Sequence, residues 1–290
     1  MKATAGEKIF YAVNYIILTV VGLSCLLPLL HIVAISLSSS EAIVSGKVGI
    51  WPVEWRIESY ILMLRGTSIL NAFKNSVLIT GVGVALSMTA TIMAAYPLSR
   101  KYFYARKFFT MILVFTMLFG GGLIPTYLVV KGLGLVNNYG ALWLPGLVST
   151  YNMLVMRTFF QNIPEELEEA ARMDGCSEWR LIIQIFLPLS LPCIATLSLF
   201  YAVSYWNAFM SVLIYINKTS KFNLSVLVNQ MIRSQSLLDP NHVQAEDIAQ
   251  ATPEGIRAAG IMVMVIPMMV VYPFLQKYFV KGVMLGSVKG

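Results

Sequence analysis

Long apolar runs alternate with polar stretches along the whole chain of 290 residues. The runs extend from about Ile9 to Ile35, Ser76 to Leu98, Phe108 to Val130, Tyr139 to Phe160, Leu189 to Ile216 and Ile256 to Phe279. Each reaches the roughly 20 residues that an apolar helix needs to cross a bilayer. The pattern therefore predicts an all-α, polytopic membrane protein with six transmembrane helices. Pro28 in the first run, and Pro267 and Pro273 in the last, are expected kinks. Gly120, Gly121, Gly122 and Pro125 interrupt the third. The second is rich in Gly, Ala, Ser and Thr, which let helices approach closely.

The polar stretches set the orientation. The short connection Ser99 to Lys107 carries Arg100, Lys101, Arg106 and Lys107 and no acid, so it is expected on the cytoplasmic side. Six crossings then put both termini and the charged stretch Pro164 to Pro188 on that side too. The longer stretches, Ser36 to about Ala72 and Asn217 to about Gly255, fall outside. They hold Trp51, Trp55 and Tyr60, and Pro240 and His242, respectively. Lys2 and Lys8 precede the first run without a small-residue cleavage site, so that run is expected to be an anchor rather than a removed signal.

Composition agrees with the pattern. Hydrophobic residues make up 57% and charged residues 12% of the chain, against about 25% charged in ordinary soluble domains. The net charge of +7 is modest. Cys25, Cys176 and Cys193 lack the spacing of a metal site or a disulfide framework. His31 and His242 have no second ligand nearby in sequence, and Gly81-Val82-Gly83 lacks the third glycine of a dinucleotide fingerprint. No phosphate loop, zinc-protease motif or nucleophile elbow occurs, so the residues give an enzyme nothing to work with. An ion-coupled secondary transporter would carry intramembrane carboxylates, and the six apolar cores hold none.

The stretch Pro164 to Pro188, PEELEEAARMDGCSEWRLIIQIFLP, reads as two short helices around a turn. Pro164 opens the first, and Glu165, Glu166, Glu168 and Glu169 crowd the positive end of its dipole. That charge patterning explains the four glutamates without a metal or acid–base site. Leu167, Ala170, Ala171 and Asp174 share one face by their spacing. Asp174-Gly175 ends the helix, Ser177 is placed to cap the next, and Trp179, Ile182, Ile183 and Phe186 form that helix's expected apolar face.

Glu169-Ala170-Ala171, three residues, Gly175, nine residues, and Ile185-Phe186-Leu187-Pro188 resemble the full EAA loop of ABC-type importer permeases. The resemblance extends over nearly the whole chain. It implies that residues 162–188 dock on a cytoplasmic ATPase subunit, with Glu169, Ala170, Ala171, Gly175, Ile185, Leu187 and Pro188 as the coupling positions. Glu169 would offer a carboxylate to a basic group of the partner. The chain would bind no cofactor itself; ATP and Mg would be used by the partner ATPase subunits.

The tail ends in Gly-Ser-Val-Lys-Gly and is similar to that of the second permease subunit of maltose-type importers. There it inserts between ATPase subunits, which would involve Gly286, Lys289 and Gly290; a basic juxtamembrane anchor explains the same lysines. The branch implies an unlike second permease subunit, two copies of the ATPase subunit and an extracytoplasmic solute-binding protein. It implies a bacterial inner membrane and no nucleic acid. The chain divides as 1–70 (first helix and first outer loop), 71–280 (permease core) and 281–290 (tail).

Tyr201, Tyr205, Trp206 and Asn207 of the fifth run offer aromatic faces and polar groups that suit a sugar path; an outer aromatic belt explains some of them equally. Whole-chain likeness is to carbohydrate permeases, including those for acidic oligosaccharides such as alginate fragments. An acidic oligosaccharide is the first expectation, with Lys131, Arg233 and Arg257 on the outer side, and a neutral oligosaccharide the second.

Overall fold

A computed structural model describes residues 4–233 and 252–287, with the backbone alone for Ala5 and residues 274–287. Lys289, Gly290, Pro240 and His242 lie outside the described residues, and Gly286 is described by its backbone alone, within a helix. Among the described residues there are helices and no strand, as an all-α polytopic protein requires.

The chain divides into two compact units. Met1–Leu70 with Val228–Ile266 form one, and Asn71–Leu227 with Pro267–Gly290 the other. In the first unit, α1 (Ala5–Ser36) opens on a capping box in which Thr4 and Glu7 satisfy each other's backbone N–H groups. Pro28 is accommodated inside this unbroken helix, whose apolar surface is exposed as far as His31, while Ala34 and Ser36 in its last turn are buried. Short helices α2 (Ser40–Val44) and α3 (Glu58–Gly66) follow, and the Tyr60 hydroxyl donates to Ser36 Oγ at 2.9 Å. His31 Nδ1 lies 2.7 Å from the Gly49 carbonyl oxygen, a loop contact rather than a catalytic one.

The second unit holds the core. Helix α4 (Ile69–Ser99) brings Ile79, Met88, Ala95 and Tyr96 against Met153, Met156 and Phe160 of α8 (Thr150–Gln161) and Leu197, Tyr201 and Tyr205 of α12 (Leu191–Trp206). Between α4 and α8 stand α5 (Arg106–Leu118), α6 (Leu123–Gly132) and α7 (Gly140–Trp143). After α8 come α9 (Glu165–Met173), α10 (Glu178–Leu181), a π turn (Ile182–Phe186) and α11 (Leu187–Leu189). Beyond α12 lie α13 (Met210–Tyr215), α14 (Leu224–Arg233), whose residues from Val228 on belong to the first unit, and the long α15 (Pro253–Ser287), which belongs to the first unit up to Ile266 and contains Pro267 and Pro273.

Several of the six expected crossings are not single rods. Three described helices, within α1, α4 and α15, are individually long and apolar enough to span a membrane, and two bent pairs raise the number to at most five. The third run breaks at its glycines: α5 and α6 meet at 116°, with Gly122 at φ +81° opening α6. At the entry to the fifth run the chain bends by 84° between residues 178–189 and α12, and the run itself ends in a separate short helix, Met210–Tyr215. The fourth run, expected as one helix from Tyr139 to Phe160, is divided into α7 and α8. Leu144 still has helical backbone, but Pro145 has no N–H to continue the helix, and Gly146 adds no stiffness.

Candidate functional site

The stretch around α9 and α10 is a helical hairpin whose turn is set by one backbone conformation. Gly175 adopts φ +72°, a left-handed geometry that costs an L-residue about 1–2 kcal/mol. Its N–H and that of Cys176 donate back to Arg172 and Ala171 carbonyls at 3.0 Å each, closing α9. Ser177 stands at the N-cap of α10 in extended backbone, but its side chain makes no capping bond.

The inner face differs from the one that spacing predicts. Leu167 and Ala170 are exposed, while Glu168 and Ala171 are buried. A charged residue at 7% exposure is tolerable here because its carboxylate is fully bonded. Arg100, itself 5% exposed, donates from Nη1 to Glu168 Oε2 at 2.6 Å, from Nη2 to the Phe160 carbonyl at 2.6 Å and from Nε to Ser99 Oγ at 2.9 Å. Its guanidinium lies over the Phe186 ring at 4.8 Å. Arg172, one turn on, donates to Glu168 Oε1 at 2.9 Å and pairs with Glu178 Oε1 at 2.6 Å. The Tyr96 hydroxyl donates to Glu178 Oε2 at 2.6 Å. The end of α4, α9 and α10 are thus joined by one polar network.

The second half of the hairpin is also shifted. Leu181 and Phe186 are wholly buried, whereas Trp179 and Ile183 are exposed, against the expected face of Trp179, Ile182, Ile183 and Phe186. The π turn, with its i→i+5 bonds, sets Phe186 on the same buried side as Leu181 five positions earlier and leaves Ile183 outside; Trp179 lies before the turn, on the outer side of α10. Of the motif positions, Glu169, Ala170, Gly175 and Pro188 are exposed, Ile185 and Leu187 half-buried and Ala171 buried. The exposed residues of the hairpin include Glu169, Ala170, Leu167, Met173, Trp179 and Ile183.

A cleft of about 320 Å³ opens beside α9, lined by Arg100, Lys101, Arg106, Glu165, Glu169 and Arg172 among others. Lys101 pairs with Glu165, and that hydrogen bond and charge hold the Glu165 carboxyl below its usual range. Glu178 likewise holds the Arg172 guanidinium above its ordinary value through their hydrogen bond.

The fifth-run residues divide. Tyr201 and Tyr205 line a cavity of about 690 Å³ with Ser149, Asn152, Ser204 and Ser211. Their hydroxyls also fasten helices: Tyr205 shares a hydrogen bond with Ser87 at 2.8 Å and Tyr201 with Thr91 at 2.7 Å. The Ser149 N–H donates to the Tyr201 hydroxyl at 3.0 Å. Trp206 and Asn207 stand off this cavity. The Trp206 ring is buried edge-to-face on Phe73 at 6.0 Å, and the Asn207 N–H closes α12 on the Val203 carbonyl. Asn152, buried at the cavity wall, escaped the sequence reading because it lies 49 positions from Tyr201 and belongs to no motif.

An all-helical membrane fold with a short charged hairpin fastened to its basic connection defines the permease class of importer subunits. The chain belongs to the family of binding-protein-dependent transport system inner membrane components, whose model matches residues 6–285. It is a transport component without catalytic activity of its own. It is 41% identical to the polygalacturonan/rhamnogalacturonan transport system permease protein YtcP of Bacillus subtilis, over 98% of this chain and 99% of that one. It is 30% identical to the arabinooligosaccharides transport system permease protein AraQ of Halalkalibacterium halodurans, over 75% and 74% of the two chains. Among solved structures, a bacterial ABC transporter involved in the import of the acidic polysaccharide alginate contains a chain that matches with a TM-score of 0.88 and 30% identity, covering 96% of this chain and 99% of that one.

Proposed function

We propose that this chain is the permease subunit of an ATP-driven importer that moves an acidic oligosaccharide from an extracytoplasmic binding protein into the cytoplasm, with the hairpin of residues 162–188 as its contact with the ATPase. The observation that carries the coupling role is the division of the hairpin into two faces. One face is locked to α4 through Arg100 and Glu168, so displacement of the hairpin must displace the end of that helix. The other presents Glu169, Ala170 and exposed apolar side chains with nothing of the described chain over them. A rigid lever with an open docking face is what conversion of ATPase closure into helix reorientation requires.

In this reading the basic connection Ser99 to Lys107, the hairpin and both termini are cytoplasmic. The partners are an unlike second permease, two copies of the ATPase subunit and a binding protein, with ATP and Mg held by the ATPase. Gly286, Lys289 and Gly290 of the tail contact the ATPase pair. Tyr201 and Tyr205, with Asn152 beside them, lie along the sugar path.

The acidic character of the sugar is supported by the relatives, which include transporters of polygalacturonan and alginate. A neutral oligosaccharide is the second reading, favoured by the kinship with an arabinooligosaccharide permease and by the absence of any cation among the lining residues of the Tyr201–Tyr205 cavity. Uptake by proteoliposomes holding the complete importer decides between them. ATP-dependent accumulation of oligogalacturonates or alginate fragments, but not of uncharged arabino-oligosaccharides of equal length, is expected; the opposite preference would overturn the acidic assignment.

A further inference from the structure

A second cavity, of about 420 Å³, lies at the foot of α5 and α8 and is lined by Arg106, Lys107, Thr110, Met111, Val114, Arg157 and Gln161. Three of its seven lining residues are cations and none is an acid. No carboxylate lies within ion-pair distance of Arg106, Lys107 or Arg157 among the described residues. The Arg157 guanidinium is held from one side, where Nε donates to the Leu98 carbonyl at 2.9 Å, so its planar fork is fixed in place. The Thr110 hydroxyl is turned away to the Arg106 carbonyl at 2.6 Å. The cavity thus offers donors for an anion and no internal anion to receive them.

Its position narrows the ligand. The cations stand where the polar connection Ser99 to Lys107 gives way to α5, the first half of a bent pair long and apolar enough to cross a membrane. On the same helix Phe108, Met111 and Phe115 are more than half exposed. Above the charges, Met111 and Val114 continue the cavity as an apolar wall. A free phosphate would use the charges and leave that wall to water. A phosphate attached to an acyl chain would use both.

We infer that this cavity is a binding site for an anionic phospholipid, its phosphate held by Arg106, Lys107 and Arg157 and an acyl chain laid along Met111 and Val114. Basic pockets between helices at a membrane surface are suited to such headgroups, and Arg is suited to phosphate by its planar fork. Arg106 and Gln161 line both this cavity and the cleft beside α9. A bound headgroup therefore adjoins the network that fastens the hairpin.

The test is native mass spectrometry of the intact, detergent-purified importer complex titrated with phosphatidylglycerol, with phosphatidylcholine of the same chains, and with inorganic phosphate. Wild-type complex is expected to retain phosphatidylglycerol about tenfold more tightly than phosphatidylcholine, and Arg106→Gln with Lys107→Gln to abolish that preference. Arg106→Lys with Lys107→Arg should preserve it. Equal retention of the two lipids, or an unchanged preference in the glutamine variant, would overturn the site. Displacement of phosphatidylglycerol by an equal concentration of inorganic phosphate would also overturn it, assigning the cations to a free anion. Should the double glutamine variant not assemble, Lys107→Gln alone, with Lys74→Gln as the charge control outside the cavity, decides the same question. Lipid binding is read without transport, so its failure is separate from failure of the importer assignment.

Discussion

Arg100 and Glu168 meet at 2.6 Å across 68 positions of chain, both nearly excluded from solvent. The pair fastens the coupling hairpin to the end of α4, and its surroundings leave neither charge short of partners. Arg100 also bonds the Phe160 carbonyl and Ser99, and Glu168 also bonds Arg172. Removing one member of such a pair leaves the other buried and uncompensated, at about 3–5 kcal/mol.

Arg100→Ala is therefore expected to lower thermal stability of the purified complex by several degrees. Arg100→Met combined with Glu168→Leu should recover most of that loss, because both charges leave together and the volume is kept. A double variant no more stable than Arg100→Ala in a melting experiment would show that Arg172 or the Phe160 carbonyl, rather than the pair, carries the effect.

The neighbouring pair Lys101–Glu165 supplies the contrast. Both side chains are more than half exposed, so Lys101→Ala should change stability only slightly. The Glu165 carboxyl is held low in the folded state. Its contribution is present above the unfolded carboxylate value and is lost as pH falls through the lower folded one. Wild type should thus be slightly more stable than Lys101→Ala near neutral pH, and the two should converge at acid pH once Glu165 is protonated, measured as melting temperature against pH. A large difference near neutral pH would mean that the pair is more enclosed than its exposure implies, and one that persists unchanged into acid would mean that the Glu165 charge is not its source.

Gly83 and Tyr205 make a close helix crossing. A Cβ added at Gly83 would fall 2.7–2.9 Å from three atoms of the Tyr205 ring. Gly83→Ala must push that ring, and with it the hydroxyl bonded to Ser87, at about 1–3 kcal/mol. Adding Tyr205→Leu should make the combined loss smaller than the sum of the single losses, as judged by thermal unfolding in detergent. Simple additivity would place the strain elsewhere.

Gly175 tests the turn by conformation rather than space, since nothing lies within 4 Å of an added Cβ. Gly175→Ala should destabilise the hairpin by about 1 kcal/mol, and Gly175→Asn by less, because Asn tolerates the left-handed region. Hydrogen exchange of the α9 amides reads this directly; equal protection in both variants would contradict it.

Much of this architecture was legible in the residues. Pro164 and Asp174-Gly175 mark both ends of α9, and the glycine run 120–122 marks the break in the third apolar segment. Three features were not legible. The Arg100–Glu168 contact joins residues far apart in sequence, and four neighbouring glutamates give no sign of which one is neutralised inside. The π turn at Ile182–Phe186 departs from the 3.6-residue pattern, burying Leu181 and Phe186 five positions apart and leaving Ile183 outside. In α12, aromatic composition suggested one lining face, but Tyr201 and Tyr205 line the cavity while Trp206 packs on Phe73. Which side of a helix meets a cavity is decided by packing partners, and composition does not carry that.

The most direct test of the coupling role is ATP-driven sugar uptake by proteoliposomes holding the complete importer with Ala170→Asp. Ala170 is exposed on α9, so the substitution should leave folding and melting temperature unchanged while placing a new charge on the face assigned to the ATPase. Uptake at least tenfold lower than wild type, with ATP hydrolysis no longer stimulated by the loaded binding protein, is predicted. Wild-type uptake by the Ala170→Asp complex would contradict the assignment of this hairpin as the coupling element.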